Sequence, residues 1–172
     1  MAQERHGAFQ FLGKPVTLVG PELKVGDKAP DFQVLKNDFS TVGLNDSKGK
    51  VRVISVVPSL DTGVCDAQTR RFNEEASKVG DNIVILTISA DLPFAQKRWC
   101  GAAGVESVEV LSDYQSMNFG AAYGTHIKEF RLESRAVFVV DSTDTIVHAE
   151  YVPVPGEHPN YEAAISAAKA AK

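Results

Sequence analysis

Val51-Arg-Val-Ile-Ser-Val-Val-Pro-Ser-Leu-Asp-Thr-Gly-Val-Cys65 is the stretch of the sequence that decides the fold. Its first seven residues are almost all apolar and β-branched, which predicts a strand covered on both faces. Pro58 ends this strand, and a helix predicted from about Val64 to Val79 follows, with Cys65 in its first turn. A second apolar run, Ile83 to Ile88, completes a β-α-β unit whose crossover we expect to be right-handed.

The chain has two cysteines, and their positions predict that they are chemically unequal. A helix N-terminus carries unpaired N–H groups and partial positive charge, and both favour a thiolate at Cys65. Cys100 lies near the end of a second predicted helix, which opens at Asp91-Leu-Pro93 with Asp91 as its cap and ends near Gly101. The dipole there has the opposite sign and favours the protonated thiol. We therefore predict that Cys65 attacks first and that Cys100 reacts later.

Composition places the chain in a broad class and excludes several others. Its 172 residues predict one domain over residues 1–172, and 44% hydrophobic with 23% charged residues are globular values. A net charge of −4 gives no reason to bind nucleic acid or an acidic membrane. No apolar run reaches transmembrane length and the first residues lack a secretory pattern, so we expect a cytoplasmic protein. No metal-ligand spacing is present, because the four histidines stand singly at positions 6, 126, 148 and 158.

The remaining pattern predicts an α/β fold, with a mixed central sheet and helices on both faces. Residues 1–20 are expected to add an N-terminal hairpin that turns at Gly13-Lys14-Pro15. Further elements are a strand at Val108–Leu111, a short helix at Met117–Tyr123 closed by Gly124, a hairpin of Ala136–Asp141 with Thr145–Tyr151, and a last helix to Lys172 capped by Asn160.

The turn before Cys65 also carries a resemblance to a known family. Pro58-Ser-Leu-Asp-Thr62-Gly-Val-Cys65 resembles the Pro-x-x-x-Thr-x-x-Cys motif of peroxiredoxins. The longer run through Asn73 is similar to the thiol peroxidase subfamily, which is the atypical two-cysteine group. Similar stretches cover most of the chain: Val25–Phe32, Ser89–Gln96, Cys100-Gly101, Ser134–Val137 and Tyr161–Ala164.

The resemblance implies a thioredoxin-like fold with the added hairpin, a homodimer, and a role for each matching residue. Cys65 would be the peroxidatic cysteine, and Cys100 the resolving cysteine of the same chain. Thr62 would hydrogen-bond the thiolate and the peroxide, and Pro58 would shield the site from water. Arg135 would stabilise the thiolate and polarise the peroxide. Thioredoxin is the reductant that the resemblance implies.

The chemistry of a reactive thiolate agrees with this assignment. A thiolate attacks the terminal oxygen of hydrogen peroxide or an organic hydroperoxide and becomes a sulfenic acid. A second thiol condenses with the sulfenic acid to give a disulfide, and an external thiol restores both groups by exchange. Thr62, Arg135 and backbone N–H groups are suitable donors to the oxygens. The reaction needs no metal and no organic cofactor.

Three other functions fit parts of the sequence. A thiol–disulfide oxidoreductase shares the fold class but normally carries Cys-x-x-Cys, and here Asp-Ala-Gln follows Cys65. A binding or holdase module would leave both thiols inert. A cysteine hydrolase would need His126 or His148 as its base, and no oxyanion-hole pattern accompanies them. Arg70 and Arg71 follow Cys65 by one to two turns, and we expect at least one of them on a solvated helix face.

Overall fold

A computed structural model of the chain describes residues 2–171, which form four α-helices and eleven strands. The helices are α1 (Gly63–Ala76), α2 (Pro93–Ala103), α3 (Asn118–Tyr123) and α4 (Tyr161–Ala170). The strands are β1 (Glu4–Phe11), β2 (Lys14–Val19), β3 (Val34–Leu35), β4 (Thr41–Val42), β5 (Val51–Val56), β6 (Ile83–Ser89), β7 (Glu109–Ser112), β8 (His126–Ile127), β9 (Leu132–Glu133), β10 (Arg135–Val140) and β11 (Ile146–Val152).

The central sheet has seven strands in the order β11-β10-β5-β6-β7-β3-β4. β5, β6 and β7 run parallel to one another, whereas β10 pairs antiparallel with β5 and β11 antiparallel with β10. All six residues of β5 are buried, as the continuous apolar run predicts. The mixed α/β architecture expected from the sequence is confirmed.

Helices cover both faces of this sheet. Val51 and Val53 of β5 belong to a core layer that also contains Phe72 of α1 and Ala164 of α4, with residues of α2 packed against it. The alternate residues Ile54 and Val56 belong to the opposite layer, with the aromatic residues of α3. This alternation follows from the two-residue period of a strand. Within residues 2–171, no helix combines the length and the apolarity that a bilayer crossing requires.

The N-terminal hairpin is present, but its turn differs from the predicted one. Leu12 and Gly13, both with positive φ (52° and 74°), form a two-residue turn, and Lys14 and Pro15 already belong to β2. Strand β2 of the hairpin pairs with β8 in a separate four-stranded sheet, whose last strand, β9, pairs with β8. The single domain over residues 1–172 stays a prediction, and Met1 and Lys172 lie outside the described residues.

Three helix ends differ from the sequence prediction, and local caps set the two C-terminal ones. α1 ends at Ala76, with Ser77 as its C-cap, instead of continuing to Val79. α2 begins after Leu92, and it ends at Gly104 in the left-handed conformation (φ 67°), not at Gly101. Cys100 is therefore an internal residue of the last turns of α2. The predicted cap of α4 is confirmed, since the Ala163 N–H donates a hydrogen bond of 3.0 Å to Asn160 Oδ1.

Candidate active site

Cys65 is the third residue of α1, directly beyond the end of the central strand β5. The Val57 N–H donates to the Ile88 carbonyl at 3.0 Å, and the chain leaves the sheet after this bond. Pro58 is buried in the turn that follows. The Cys65 side chain has zero solvent exposure in this structure. The first-turn placement predicted from the sequence therefore holds, and the sulfur lies within the core layer under α1.

Arg135 is the residue that the sheet brings to Cys65. In the antiparallel pairing of β10 with β5, Ala136 lies opposite Val56, so Arg135 stands beside the end of β5. Its Nη2 donates a hydrogen bond of 3.3 Å to Cys65 Sγ. Arg135 is buried. The register of β10 against β5 thus brings Arg135 to Cys65, although the two residues lie 70 positions apart in the sequence.

Gln68 holds this arginine, and sequence reasoning missed it. Gln68 lies one helical turn after Cys65 and is fully buried. Its Oε1 accepts from Arg135 Nη1 at 2.8 Å, and its Nε2 donates to Ser55 Oγ at 2.7 Å. Gln68 follows Cys65 by three residues, so the two side chains share one face of the helix. This spacing is the signal that could have identified Gln68 from the sequence.

The charge balance around Arg135 favours a thiolate on Cys65. An arginine stays protonated in proteins, and a buried cation without a counter-ion is costly. The structure gives Arg135 two further acceptors, Gln68 Oε1 and the Pro155 carbonyl at 2.7 Å, and both are neutral. Among its partners in the described chain, Cys65 is the one that can carry a negative charge. First-turn N–H groups of α1, which have no intrahelical acceptor, add to the same effect.

Thr62 is the N-cap residue of α1, and its hydroxyl serves the turn in this structure. Thr62 Oγ1 donates to the Ser59 carbonyl at 3.0 Å, and the Thr62 carbonyl accepts from the Asp66 N–H at 2.9 Å. The residue is exposed, so its hydroxyl lies at the solvent side of the turn. Its predicted bonds to the thiolate and to a peroxide stay a prediction.

Asp91 fixes the same turn from the end of β6, which corrects its predicted role as a helix cap. Its carboxylate accepts hydrogen bonds from Ser59 Oγ (2.7 Å), the Leu60 N–H (2.9 Å) and Ser89 Oγ (2.7 Å). The N-cap position of α2 belongs to Leu92, which makes no side-chain cap. Asp91 therefore joins the segment before Cys65 to the segment before the helix of Cys100.

Cys100 is half-buried and packs against the same core layer that contains Cys65. Both cysteines are free thiols in this structure. Burial raises the pKa of the Cys100 thiol, which keeps it protonated at neutral pH. The sequence predicted the protonated form from the helix dipole, whereas the structure gives burial as the cause. Cys100 also lines a surface cavity of about 390 Å³.

A family model described as Redoxin matches residues 24–165. The chain belongs to the redoxin family. The predicted thioredoxin-like peroxiredoxin fold of this redoxin is confirmed by a crystal structure of a peroxiredoxin-like protein from Aquifex aeolicus. The two are 39% identical with a TM-score of 0.85, and the match covers 91% of this chain and 92% of that chain.

Two bacterial relatives identify the branch of the family. The redoxin is 62% identical over 164 residues to a thiol peroxidase of Halalkalibacterium halodurans, covering 95% of this chain and 98% of that protein. It is 63% identical over 160 residues to a thiol peroxidase of Bacillus subtilis, covering 93% and 95%. The resemblance to thiol peroxidases predicted from the motif is confirmed, and the redoxin is a peroxidase of the oxidoreductase class.

The two arginines that follow Cys65 have partners of their own in the redoxin. Arg70 pairs with Asp66 at 2.7 Å and lies 5.6 Å from the centre of the Trp99 ring. Arg71 pairs with Glu75 at 3.2 Å and lies over the Tyr161 ring. Neither arginine donates a hydrogen bond to Cys65 Sγ. The sequence alone did not decide whether one of them would contact the site.

The histidines of the redoxin give no support to hydrolase chemistry. Burial lowers the pKa values of His126 and His148, which lie in β8 and β11. The hydrogen bond to Cys65 Sγ comes from a guanidinium and not from an imidazole. Over the described range 2–171, no group of three or more histidine, cysteine or acidic side chains is arranged to hold a metal ion.

Proposed function

We propose that this peroxidase reduces hydrogen peroxide and organic hydroperoxides at Cys65 and serves antioxidant defence. The observation that carries the proposal is the hydrogen bond from Arg135 to Cys65 Sγ, within a set of otherwise neutral partners. A buried guanidinium that lacks a carboxylate favours a thiolate beside it, and the thiolate is the nucleophile in peroxide reduction.

In the first step, the Cys65 thiolate attacks the terminal oxygen of the hydroperoxide. The O–O bond breaks, water or an alcohol leaves with a proton, and Cys65 becomes a sulfenic acid. Negative charge grows on the departing oxygen, where fixed donors lower the barrier. Arg135 and the first-turn N–H groups supply donors, and Thr62 turns its hydroxyl toward the bound peroxide. Pro58, buried in the turn, keeps water from the sulfur.

In the second step, the Cys100 thiol condenses with the sulfenic acid, and water leaves as an intramolecular disulfide forms. Both side chains pack in one core layer of one chain, which favours this pairing. A disulfide requires Cα atoms within about 7 Å and a defined torsion. Because each sulfur lies inside a helix, the first turn of α1 and the last turn of α2 must rearrange.

The cycle closes when a protein dithiol reduces the disulfide, and we propose thioredoxin for this role. A cycle that returns both cysteines to thiols fits a reducing compartment, so we place the enzyme in the cytoplasm. We propose a symmetric homodimer, the commonest closed assembly of soluble proteins. Sedimentation velocity tests the dimer, and it is wrong if a single monomer peak persists at micromolar concentration.

The cycle is tested by comparing wild type, Cys65→Ser and Cys100→Ser with cumene hydroperoxide and dithiothreitol. Cys65→Ser should abolish peroxide reduction. Cys100→Ser, assayed without reductant, should consume about one equivalent of peroxide and stop as a sulfenic acid. Wild-type protein oxidised by peroxide should run as a monomer on a non-reducing denaturing gel. Full activity of Cys65→Ser, or a covalent dimer as the main oxidised species, would contradict the cycle.

A further inference from the structure

The segment between β11 and α4 cannot extend the sheet as an ordinary strand would. Residues 153–160 read Pro-Val-Pro-Gly-Glu-His-Pro-Asn, and a proline has no backbone N–H to donate to a neighbouring strand. In line with this, β11 ends at Val152, and α4 begins after its cap, Asn160. All residues of this segment except Pro155 and Pro159 are exposed. We call residues 153–160 the strap.

The strap lies against the site because the register of the sheet directs it there. Val152, the last residue before the strap, is the partner of Arg135 in the pairing of β11 with β10. Arg135 Nη2 donates to the Pro155 carbonyl at 2.7 Å and to Cys65 Sγ at 3.3 Å. One nitrogen of the guanidinium therefore bonds both the strap and the sulfur.

Both hydrogens of this nitrogen are in use, which has a consequence for the chemistry. A peroxide oxygen that binds beside the sulfur needs a donor at the same place. Release of the Pro155 carbonyl frees one N–H of Arg135 there and leaves the bond to Cys65 Sγ intact. Displacement of the strap would therefore open a path to the sulfur and supply a donor to the peroxide in one movement.

A hydrogen bond holds each end of the strap to a neighbouring strand. The Gln10 N–H of β1 donates to the Pro153 carbonyl at 2.8 Å, and the Asn160 N–H donates to Glu150 Oε1 of β11 at 2.9 Å. Other segments around the sulfur are held more firmly. β5 and β10 are internal strands of the sheet, and Asp91 accepts two hydrogen bonds from the turn that precedes α1. Exposed segments with few bonds open at the lowest free energy, so we expect the strap to open first.

One further bond joins the strap to the edge of the core. His158 Nδ1 of the strap and the Tyr161 hydroxyl form a hydrogen bond of 2.7 Å. The Tyr161 ring packs edge-on against Phe72, with ring centres 5.4 Å apart, and Phe72 shares a core layer with Cys65. Burial raises the pKa of Tyr161, and the charges of Arg135 and Cys65 also act on it, as expected for a phenol close to both. The bond thus connects the strap to a side chain beside the site.

We infer that the strap is a gate through which the hydroperoxide reaches Cys65, and that the bond between His158 and Tyr161 is its latch. This inference rests on the proposed attack at Cys65 and adds what limits access to the sulfur. Cys65 has zero exposure, so a covering segment must move before a hydroperoxide contacts Sγ. Hydrogen peroxide passes a narrow opening, whereas cumene hydroperoxide carries a phenyl ring and needs a wide one. The latch therefore sets how well the enzyme accepts bulky hydroperoxides.

The test removes the latch from each side. Tyr161→Phe deletes the hydroxyl and keeps the ring, whereas His158→Ala deletes the imidazole and keeps the tyrosine. Reduced enzyme is mixed with hydrogen peroxide or cumene hydroperoxide, and rapid quenching with mass spectrometry gives the second-order rate constant of Cys65 oxidation. We expect both variants to raise the constant for cumene hydroperoxide about threefold, the effect of losing one modest hydrogen bond, and to leave that for hydrogen peroxide near wild type. Amide exchange of Glu157 should be faster in both variants.

His6→Ala and Tyr114→Phe are the matched controls. His6 Nδ1 also bonds a hydroxyl, Thr17 Oγ1 at 3.0 Å in the N-terminal hairpin, and Tyr114 follows β7 outside the strap. Both controls should match wild type with either peroxide. An unchanged cumene hydroperoxide constant in both latch variants, an equal rise for both peroxides, or a loss in Tyr161→Phe alone would each overturn the gate. A wild-type Cys65 that neither peroxide oxidises would instead overturn the attack on which the gate rests.

Discussion

The indole Nε1 of Trp99 donates a hydrogen bond of 2.9 Å to Asp66 Oδ1. Trp99 precedes Cys100 and Asp66 follows Cys65, so each member of this bond is the chain neighbour of one cysteine. The bond joins the last turns of α2 to the first turn of α1, the two segments that rearrange in the proposed cycle. We therefore expect it to stabilise the dithiol form against the proposed disulfide.

Removing this bond should speed disulfide formation. Asp66→Ala deletes the acceptor, and a hydrogen bond of this kind contributes about 1 kcal/mol, which corresponds to roughly fivefold in rate. We expect thiol loss after one equivalent of peroxide to be about fivefold faster than in wild type. Asp61→Ala is the control, because Asp61 links to Arg98 of α2 by an exposed pair at 3.7 Å that contributes little. Equal or slower disulfide formation in Asp66→Ala would show that the bond is not a restraint.

Oxidation should also change the surroundings of Trp99, the sole tryptophan. One equivalent of hydroperoxide should alter its fluorescence and raise amide exchange in residues 91–101, and dithiothreitol should reverse both changes. Cys100→Ser provides the control, since it forms the sulfenic acid without the disulfide and should leave the exchange unchanged. If emission and exchange were identical in both redox states of wild type, local unfolding of α2 would be wrong.

Gln68 should act as a positioning residue for Arg135. Gln68→Leu removes the acceptor of Arg135 Nη1 and frees the guanidinium from its orientation toward the sulfur. We expect peroxide kcat/KM to fall at least tenfold, because small displacements of a positioned group are costly to rate. The rate at which iodoacetamide alkylates Cys65 at neutral pH should fall, an effect that mere loss of stability would not produce.

Thr69→Val is the matched control for Gln68→Leu. Thr69 is also buried on α1 and donates to the Cys65 carbonyl at 2.9 Å, but it does not contact Arg135. Its replacement should lower stability without lowering the alkylation rate. Identical alkylation rates for wild type, Gln68→Leu and Thr69→Val would remove Gln68 from the mechanism.

A buried acid pair should make stability fall as pH rises. Burial raises the pKa of Glu133 well above its usual value, and the hydrogen bond and charge of Asp113 raise it further. The folded protein thus keeps a proton that the unfolded chain releases above about pH 4.3. The unfolding free energy is greatest below that pH and declines as pH rises toward the folded pKa, by at most about 1.4 kcal/mol per pH unit.

Urea unfolding between pH 4 and pH 8 measures this effect. Glu133→Gln should flatten the decline, because the amide cannot release a proton. Glu129→Gln should leave the decline intact. The Thr17 N–H lowers the pKa of the exposed Glu129, so this carboxyl affects the unfolding free energy only at acid pH. Parallel slopes for Glu133→Gln and wild type would contradict the assignment.

The sequence predicted the main elements because short-range patterns determine them. The apolar run of β5 and the Asn160 cap of α4 are local features, and both stand where they were expected. The C-terminal ends of α1 and α2 were misplaced although they are local, because the sequence offers more than one residue that can end each helix, and Ser77 and Gly104 do so. The start of α2 was misplaced because a distant turn competes for Asp91. Its position before Pro93 suggests a helix cap, but its carboxylate accepts from Ser59 Oγ and the Leu60 N–H of that turn and from Ser89 Oγ.

The active site was predictable only in part. The position of Cys65 at a helix N-terminus was enough to predict it as the nucleophile. Arg135 was predicted only from the resemblance to peroxiredoxins. The bonds from Arg135 to Cys65 and to Gln68 span 70 and 67 positions, and they depend on the register of β10 against β5. No periodicity along the chain encodes such a pairing. Gln68 was missed because one buried glutamine on a helix gives no distinct sequence signal.

The contrast between a sealed Cys65 and an accessible Cys100 has a consequence for thiol-profiling chemistry. Bulky maleimide tags would label Cys100 first in the untreated enzyme, whereas in the proposed cycle the small peroxide molecule reacts at Cys65. If that cycle holds, a survey that ranks cysteines by tagging speed would name Cys100 in place of the cysteine that peroxide oxidises. A compact electrophile added before the maleimide tag, followed by site-resolved mass spectrometry, would measure the reactivity of the two cysteines without the effect of tag size.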